Sequence, residues 1–302
     1  MTMSVASPYA ARLGRIPVER RTVQVLGSTT AYWVYGPDGE DALTVIAVHG
    51  FRGEHHGLEP VIAHLPGMRV ISPDLPGFGE TPPIPGRAHD LSLYSGWLTE
   101  FARTVAPDAV VLGHSFGSIV ASAAVAGGLR APRLILINPI GAPALEGPRG
   151  VLTRLAVLYY RLGAQLPDRY GTALLRHPLI VRIMSAAMAK TRDPQLRRFV
   201  HDQHRRYFST FADRQVLHDA FVTSVSHDVR AFAGVIDAPV LLIAAQRDDI
   251  TPIEAERRLA GRFPDAELVE FAEVGHLIHY ETPAEAAGAI RRFLRPPAER
   301  GR

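Results

Sequence analysis

The residue best suited to chemistry in this sequence is Ser115, which lies between two glycines in the segment Gly113-His114-Ser115-Phe116-Gly117. An apolar run typical of a buried strand precedes it, and apolar residues at helical spacing follow it. Glycine lacks the side chain that would collide across a sharp turn, so the pattern predicts a strand, a tight turn and a helix. Such a turn strains the backbone at Ser115 and presents its hydroxyl outward, where it can act as a nucleophile.

A serine hydroxyl is a weak nucleophile at neutral pH, so it needs an imidazole to take its proton and a carboxylate to orient that imidazole. Two loops late in the sequence offer these groups. Asp248 and Asp249 follow one apolar strand, and His276 follows the next. The 28 residues from Asp248 to His276 leave room for one helix and one strand. Either aspartate could instead cap the helix that begins near Ile253, and Asp248 is the preferred acid.

The strand, the G-x-S-x-G turn and the helix resemble the nucleophile elbow of the α/β-hydrolase family. The chain is similar to the serine esterases of that family that carry a helical cap, and also to meta-cleavage product hydrolases. The resemblance implies that Ser115, Asp248 and His276 are the catalytic triad. It also implies an oxyanion hole formed by the backbone N–H groups of Phe116 and Phe51.

The other elements must bring these loops to one edge of a sheet. Eight segments rich in apolar and β-branched residues predict strands, at residues 22–26, 31–35, 43–48, 69–72, 110–114, 133–138, 240–245 and 267–271. From the third strand onward, helical patterns separate most of them. This alternation predicts an α/β fold with a doubly wound, mostly parallel eight-stranded sheet that opens on an antiparallel hairpin.

The alternation stops between residues 139 and 234, where amphipathic helical segments recur without a convincing strand. This insertion follows the sixth strand, where members of the family carry a lid or cap. We therefore expect an N-terminal extension at residues 1–21, a core at 22–138 and 235–302, and a helical cap at 139–234.

The predicted cap carries 14 Lys and Arg residues against 7 Asp and Glu residues, a net charge of +7. We interpret the charge as a solvated basic face. An apolar stripe on the first cap helix is the candidate lining of an acyl pocket, and it consists of Leu155, Leu158, Tyr159 and Leu162. Arg52 directly follows the proposed oxyanion residue and is a candidate clamp for a substrate carboxylate at the mouth of the site.

Composition excludes several classes of function. The formal net charge of the chain is only +3, so no polyanion-binding signature is present and nucleic acid is not an expected partner. The chain has no cysteine, which rules out disulfides and thiolate sites and fits a reducing compartment. No apolar stretch approaches the roughly 18 residues that a membrane helix needs. We expect a cytoplasmic monomer or homodimer without stable membrane insertion.

The histidines do not predict a metal site. His55, His56, His201, His204 and His279 lie on separate segments without ligand spacing, so no metal and no cofactor are expected. His49 and His114 flank the proposed catalytic loops, and packing or hydrogen bonding is their expected role. The loop Asp74-Leu75-Pro76-Gly77-Phe78-Gly79 also resembles the family and is expected to be structural.

These features predict a serine hydrolase that cleaves a small or medium carboxylic ester, or a related acyl substrate, through an acyl-enzyme intermediate. One alternative is a carbon–carbon bond hydrolase of the meta-cleavage product type, which uses the same residues in the same order. Phe51-Arg52 stands where those enzymes usually have a glycine-rich loop, which counts against this alternative. Another is a nearly inert hydrolase-fold ligand receptor, which a turnover measurement would distinguish from an enzyme.

Overall fold

A computed structural model describes residues 5–39, 42–143 and 150–295. The first four residues of the predicted extension, residues 144–149 of the predicted cap and the last seven residues of the chain lie outside this description. Eight strands of the described chain form one sheet: β1 Val18–Val25, β2 Ser28–Tyr35, β3 Thr44–Val48, β4 Arg69–Pro73, β5 Val110–His114, β6 Leu134–Ile137, β7 Val240–Ala245 and β8 Ala266–Phe271. Their order is β1-β2-β4-β3-β5-β6-β7-β8. The pairs β1–β2 and β2–β4 are antiparallel and the others are parallel, so the predicted mostly parallel eight-stranded sheet is confirmed.

The hairpin at the edge of the sheet begins earlier and turns more tightly than the sequence suggests. β1 starts at Val18, and the turn consists of Leu26 and Gly27, with φ values of 49° and 79°. The predicted turn, residues 27–30, was too long because Thr29 and Thr30 pair with β1. Two-residue turns with positive φ match the twist of antiparallel strands, which accounts for the tighter connection.

Helices flank the sheet before and after the predicted cap. Those before it are α1 Ala10–Leu13, α2 Glu59–Ile62, α3 Leu91–Val105 and α4 Phe116–Ala126. A 3₁₀ helix at His55–Leu58 leads into α2, where the sequence predicts one helix at residues 58–65. Between β6 and β7 lie α5 Gly150–Gln165, α6 Asp168–Leu175, α7 Pro178–Met188, α8 Pro194–Tyr207, α9 Arg214–Ser226 and α10 Arg230–Ala233. The chain continues with α11 Ile253–Ala260, α12 Ile278–Glu281 and α13 Pro283–Leu294.

The sheet is buried on both faces because alternate residues of its strands point to opposite sides. In β3, Ile46 and Val48 belong to the hydrophobic cluster that contains the apolar faces of α3 and α4. Val45 and Ala47 belong to the other cluster, with residues of α2 and α13. This arrangement is the doubly wound layering that the strand–helix alternation predicts.

The loop after β4 contacts the part of the chain described between β6 and β7. Phe78 forms a β-bridge with Phe211, and the amide of Gly79 donates to the carbonyl of Thr210 at 3.1 Å. Asp74 closes the same loop by accepting a hydrogen bond from the amide of Glu80 at 2.8 Å. The division of the chain into core and cap at residues 139–234 remains a prediction. Across the described ranges, no helix has the length and apolar character required to cross a membrane.

Candidate active site

The turn at Ser115 has the strained conformation that its glycines predict. β5 ends at His114 and α4 begins at Phe116, and Ser115 between them has a φ of 53°. A Cβ on Gly113 would lie 2.4 Å from the carbonyl oxygen of Gly117, and a Cβ on Gly117 would lie 2.4 Å from that of Val48. The backbone cannot move far enough to relieve contacts this short, so glycine is required at both positions.

Three residues from three separate loops form a line of hydrogen bonds. Ser115 Oγ lies 2.7 Å from His276 Nε2, and His276 Nδ1 lies 2.8 Å from Asp248 Oδ2. His276 is only 4% exposed. Because the strands β5, β7 and β8 are parallel, their carboxyl ends meet at one edge of the sheet and bring these loops together.

The environment of Asp248 favours its ionised form. Burial alone would raise the pKa of this carboxyl. The charge and hydrogen bond of His276, together with hydrogen bonds from the amides of Ile250 and Thr251, outweigh burial and hold the pKa below its ordinary value. A carboxylate in this state can fix one tautomer of the imidazole.

The two neighbouring aspartates have different partners. Asp248 contacts His276, whereas the carboxylate of Asp249 pairs with the ammonium group of Lys190. Asn138 fixes the position of Asp248 from the end of β6. Its side-chain amide donates to Asp248 Oδ2 at 3.0 Å and to the carbonyl of Gly275 at 3.2 Å. Sequence reasoning assigned Asn138 no positioning role, and the one available signal was a polar residue at the end of the predicted sixth strand.

The loop after β3 passes directly over Ser115. A Cβ on Gly50 would lie 3.2 Å from Ser115 Cβ, so the loop that continues into Phe51 runs close to the serine. Phe116 is the first residue of α4, where the backbone N–H has no partner within the helix. The amide of Phe51 makes no backbone hydrogen bond to any described residue. Both residues line the cavity that contains Ser115, and the oxyanion role of their N–H groups stays a prediction.

Arg52 lines the cavity that contains Ser115, but its guanidinium is hydrogen-bonded within the protein. Its side chain is buried, with 2% exposure, and its φ is 58°. The guanidinium donates to the carbonyls of Phe208 and Leu175 at 2.7 and 2.8 Å and to the hydroxyl of Tyr160 at 3.2 Å. These contacts tie the loop after β3 to the predicted cap, and the role of Arg52 as a clamp for a substrate carboxylate stays a prediction.

The apolar stripe predicted to line the pocket faces the wrong way. Leu155, Leu158 and Leu162 are 57%, 51% and 42% exposed. The hydroxyl of Tyr159 donates to the carbonyl of Leu174, and Tyr159 does not line the cavity. The residues of α5 that do line it are Ala156 and Tyr160, so the predicted set is wrong in register.

A cavity of about 1370 Å³ opens above Ser115, between the core loops and the helices of the insertion. Its volume exceeds the roughly 300–1,000 Å³ of common small-molecule sites. Phe51 contributes to the roof of the site by packing against Tyr160 and Phe221, with ring centroids 5.5 and 5.7 Å apart.

One group of side chains in the described chain has the closeness that a metal ion requires. Ligand atoms of Glu54, His55 and His56 lie within 4.8 Å of one another. These side chains already have partners, because His56 Nδ1 lies 2.5 Å from Glu54 Oε1 and His55 Nδ1 lies 2.9 Å from Asp74 Oδ1. The arrangement is explained by hydrogen bonds within the protein.

Comparisons with known proteins agree with this fold. The model of the alpha/beta hydrolase family matches residues 45–289. The chain is 30% identical over 246 residues to the pimeloyl-[acyl-carrier protein] methyl ester esterase of Chromobacterium violaceum, covering 80% of this chain and 87% of the relative. It is 28% identical over 262 residues to the protein of the same name from Aromatoleum aromaticum, covering 83% and 98%. The enol-lactonase from Burkholderia xenovorans LB400 is similar in fold, with a TM-score of 0.74, 19% identity and coverage of 91% and 99%.

Proposed function

The chain belongs to the alpha/beta hydrolase family, and we propose that it is a serine hydrolase that cleaves a small or medium carboxylic ester through an acyl-enzyme intermediate. The observation that carries this proposal is the line of hydrogen bonds from Ser115 Oγ through His276 to Asp248. This order of groups is what general-base activation of a serine requires. The two relatives described above are named methyl ester esterases, and this supports the same class of reaction.

In the first half of the reaction, Ser115 Oγ attacks the ester carbonyl while His276 Nε2 accepts its proton. Asp248 accepts the hydrogen bond from Nδ1–H and stabilises the imidazolium that forms. The N–H groups of Phe51 and Phe116 hold the negative oxygen of the tetrahedral intermediate. The intermediate collapses by breaking the bond to the alcohol oxygen, which takes the proton from His276 as the alcohol leaves.

In the second half, a water molecule replaces the alcohol. His276 accepts a proton from this water as its oxygen attacks the acyl carbon, and a second tetrahedral intermediate forms in the same oxyanion site. The bond to Ser115 Oγ then breaks, the serine recovers its proton from His276, and the carboxylic acid is released. Every proton transfer uses the same imidazole, so no cofactor enters this scheme.

Residues 139–234 have the role of a cap in this proposal. Side chains of α5 and α8, including Tyr160 and His204, line the cavity above Ser115. The guanidinium of Arg52 connects the loop that carries Phe51 to this region. The cap thus shapes the space for the acyl and alcohol groups, while the groups that perform the chemistry belong to the core.

The test combines covalent labelling with turnover. A fluorophosphonate probe should label the wild-type protein, and the protein should hydrolyse short and medium-chain methyl esters. We expect Ser115→Ala to abolish both while the circular dichroism spectrum is unchanged. Ser122→Ala is a matched control, because it removes a buried hydroxyl from the same helix and should leave labelling intact. Persistent labelling of Ser115→Ala would refute the proposal, and labelling without turnover of any ester would indicate a ligand receptor instead.

A further inference from the structure

Exposed apolar side chains are concentrated on one part of the predicted cap. Thirteen large hydrophobic side chains of the described chain are exposed, and seven of them lie within residues 155–183. Three of the seven are the leucines of α5 at positions 155, 158 and 162. Single exposed leucines are ordinary on a protein surface, but a contiguous group marks an interaction site.

The three leucines form one stripe along α5. Residues three and four positions apart lie on the same side of a helix, so the stripe extends over about 10 Å of its length. The amide of Leu166 donates to the carbonyl of Leu162 at 2.9 Å, which continues this side of the helix to the exposed Leu166. Ala156 and Tyr160, on the opposite side, line the cavity. The stripe therefore faces away from the candidate active site.

Arginines accompany the stripe, and α5 contains no acidic residue. Arg154 and Arg161 are exposed and seven positions apart, so they form a row beside the leucines. Residues 150–188 include five arginines and a single acid, Asp168, which pairs with Arg214. We call the two arginines and the three leucines of the stripe the outer face of α5. This face is both apolar and cationic.

The helix α7 has a similar composition. Leu179 and Ile183 are each 60% exposed, and the exposed Arg182 lies between them. Met184 and Met188 of the same helix line the cavity that α5 also lines. Both helices thus turn one side to the cavity and an apolar, basic side away from it.

We propose that the outer face of α5 docks on an anionic phospholipid bilayer. A helix with this composition lies in the plane of the membrane interface, where its leucines enter the acyl boundary. The stems of Arg154 and Arg161 follow the apolar surface while their guanidinium groups bind lipid phosphates. Because the inner side of the same helix lines the cavity, docking holds the cavity about one helix diameter, roughly 10 Å, from the bilayer.

Two other occupants fit this face less well. A two-fold interface places the same patch on both subunits, so a second copy would set Arg154 and Arg161 against the same pair of charges. An acidic protein would complement the arginines, but protein interfaces centre on aromatic anchors that fill pockets. The outer face of α5 is instead a convex row of leucines. Its charge and its shape together favour the bilayer.

The experiment is co-sedimentation of the full chain with vesicles of phosphatidylcholine alone or of phosphatidylcholine mixed with phosphatidylglycerol. The wild-type protein should bind the mixed vesicles at least about tenfold more tightly, because each arginine near an anionic surface strengthens binding several-fold. This preference should disappear in about 1 M salt, where the Debye length is about 3 Å. Ser115→Ala should bind as the wild type does, so the result does not depend on the proposed reaction.

Two double variants test the two components of the face. Leu155→Ser with Leu158→Ser should weaken binding to the mixed vesicles at least about tenfold, because the apolar area that leaves water on docking is lost. Arg154→Gln with Arg161→Gln should remove most of the preference for phosphatidylglycerol. All four positions are exposed, so circular dichroism melting curves should match that of the wild type.

Matched controls make the same changes outside the predicted cap. Leu43→Ser removes a leucine that is 42% exposed, as Leu162 is. Arg103→Gln with Arg130→Gln removes two exposed charges, so the net charge falls as in the arginine variant of α5. Both controls should keep wild-type binding, and a loss of binding that they share would overturn the proposal.

The remaining outcomes also decide the matter. Equal binding of the wild type to the two kinds of vesicle would overturn the proposal, as would α5 variants that bind as tightly as the wild type. If the wild type bound neither kind of vesicle, the bilayer would be excluded in favour of an acidic protein. A dimer in light scattering that dissociates in the double leucine variant would show that a second copy occupies the face.

Discussion

Glu256 provides a sharp test of the electrostatics behind the active site. It lies on α11 with 2% exposure, and neither carboxyl oxygen has a hydrogen-bond partner at ordinary geometry among the described residues. Burial, and after it the negative charge of Asp248, raise the pKa of Glu256 well above its ordinary value of 4.5. The raised pKa favours the neutral acid at Glu256, whereas the lowered pKa of Asp248 favours the carboxylate. Replacing it with an isosteric neutral amide, Glu256→Gln, preserves the shape and removes the proton.

The expected magnitude follows from proton linkage. Above about pH 4.5 the unfolded chain loses the Glu256 proton while the folded protein retains it, so folding takes up a proton and stability falls as the pH rises. The unfolding free energy falls by at most about 1.4 kcal/mol per pH unit, and it falls until the pH reaches the pKa of Glu256 in the folded protein. Glutamine has no such proton. Between about pH 5 and pH 7, the unfolding free energy of Glu256→Gln should therefore rise relative to that of the wild type, by at most about 1.4 kcal/mol for each pH unit.

The assay is urea unfolding of the wild type and the variant at about pH 5, 6 and 7. The difference in unfolding free energy should grow with pH, and ester turnover should be retained because residue 256 is neutral in both proteins. Glu254→Gln is the matched control, since Glu254 belongs to the same helix but is exposed. Its difference from the wild type should not grow in this way. A Glu256→Gln difference that stays constant across the three pH values would refute the reasoning.

Two further predictions concern the site residues. Asp248→Asn should lower kcat/KM about 10⁴-fold, because the amide favours the wrong tautomer of His276, whereas Asp249→Asn should cost far less because that carboxylate pairs with Lys190. A larger loss at Asp249 in the same ester assay would reverse the assignment. Arg52→Met should lower the unfolding free energy by about 2–3 kcal/mol in urea titrations, since it removes the guanidinium donor to the carbonyl of Phe208 and to the hydroxyl of Tyr160, and one of the two donors to the carbonyl of Leu175. The variant should affect a neutral ester and its carboxylate-bearing analogue alike, and a loss confined to the carboxylate substrate would support the clamp hypothesis.

The sheet could be predicted because each strand has a recognisable pattern of residues within its own segment of the sequence. β7 is a continuous apolar run, as expected of a strand covered on both faces, and its observed bounds match the predicted ones. The helical patterns at residues 91–105 and 283–294 likewise predict the bounds that α3 and α13 have in the structure. Hairpin boundaries were less predictable, because Thr29 and Thr30 fit both a strand and a turn and only pairing with β1 decides between them.

The loops that carry Ser115, Asp248 and His276 were also accessible from the sequence. In a parallel sheet, the residues that follow the strands meet at one edge, so a serine, an acid and a histidine after three strands are expected to be neighbours. The contacts that tune the site were not accessible in this way. Asn138 contacts Asp248 across 110 residues of sequence, and Ser185 fixes His204 from another helix. Nothing in the local pattern specifies such partners.

The error in the predicted pocket lining has a definite physical cause. Residues three to four positions apart share one face of a helix, so Leu155, Leu158 and Leu162 do lie on one side of α5. The opposite side carries Ala156 and Tyr160. These side chains are less hydrophobic than leucine, but they pack against the rest of the protein. Periodicity identifies a face without identifying what covers it, and burial depends on the neighbouring segments.

Tyr160 is buried because Phe51, Phe221 and the guanidinium of Arg52 surround its ring, and none of these contacts can be inferred from the helix alone. Large leucines therefore point into solvent while a small alanine and a tyrosine form the cavity wall, so hydrophobicity alone was the wrong criterion for this helix.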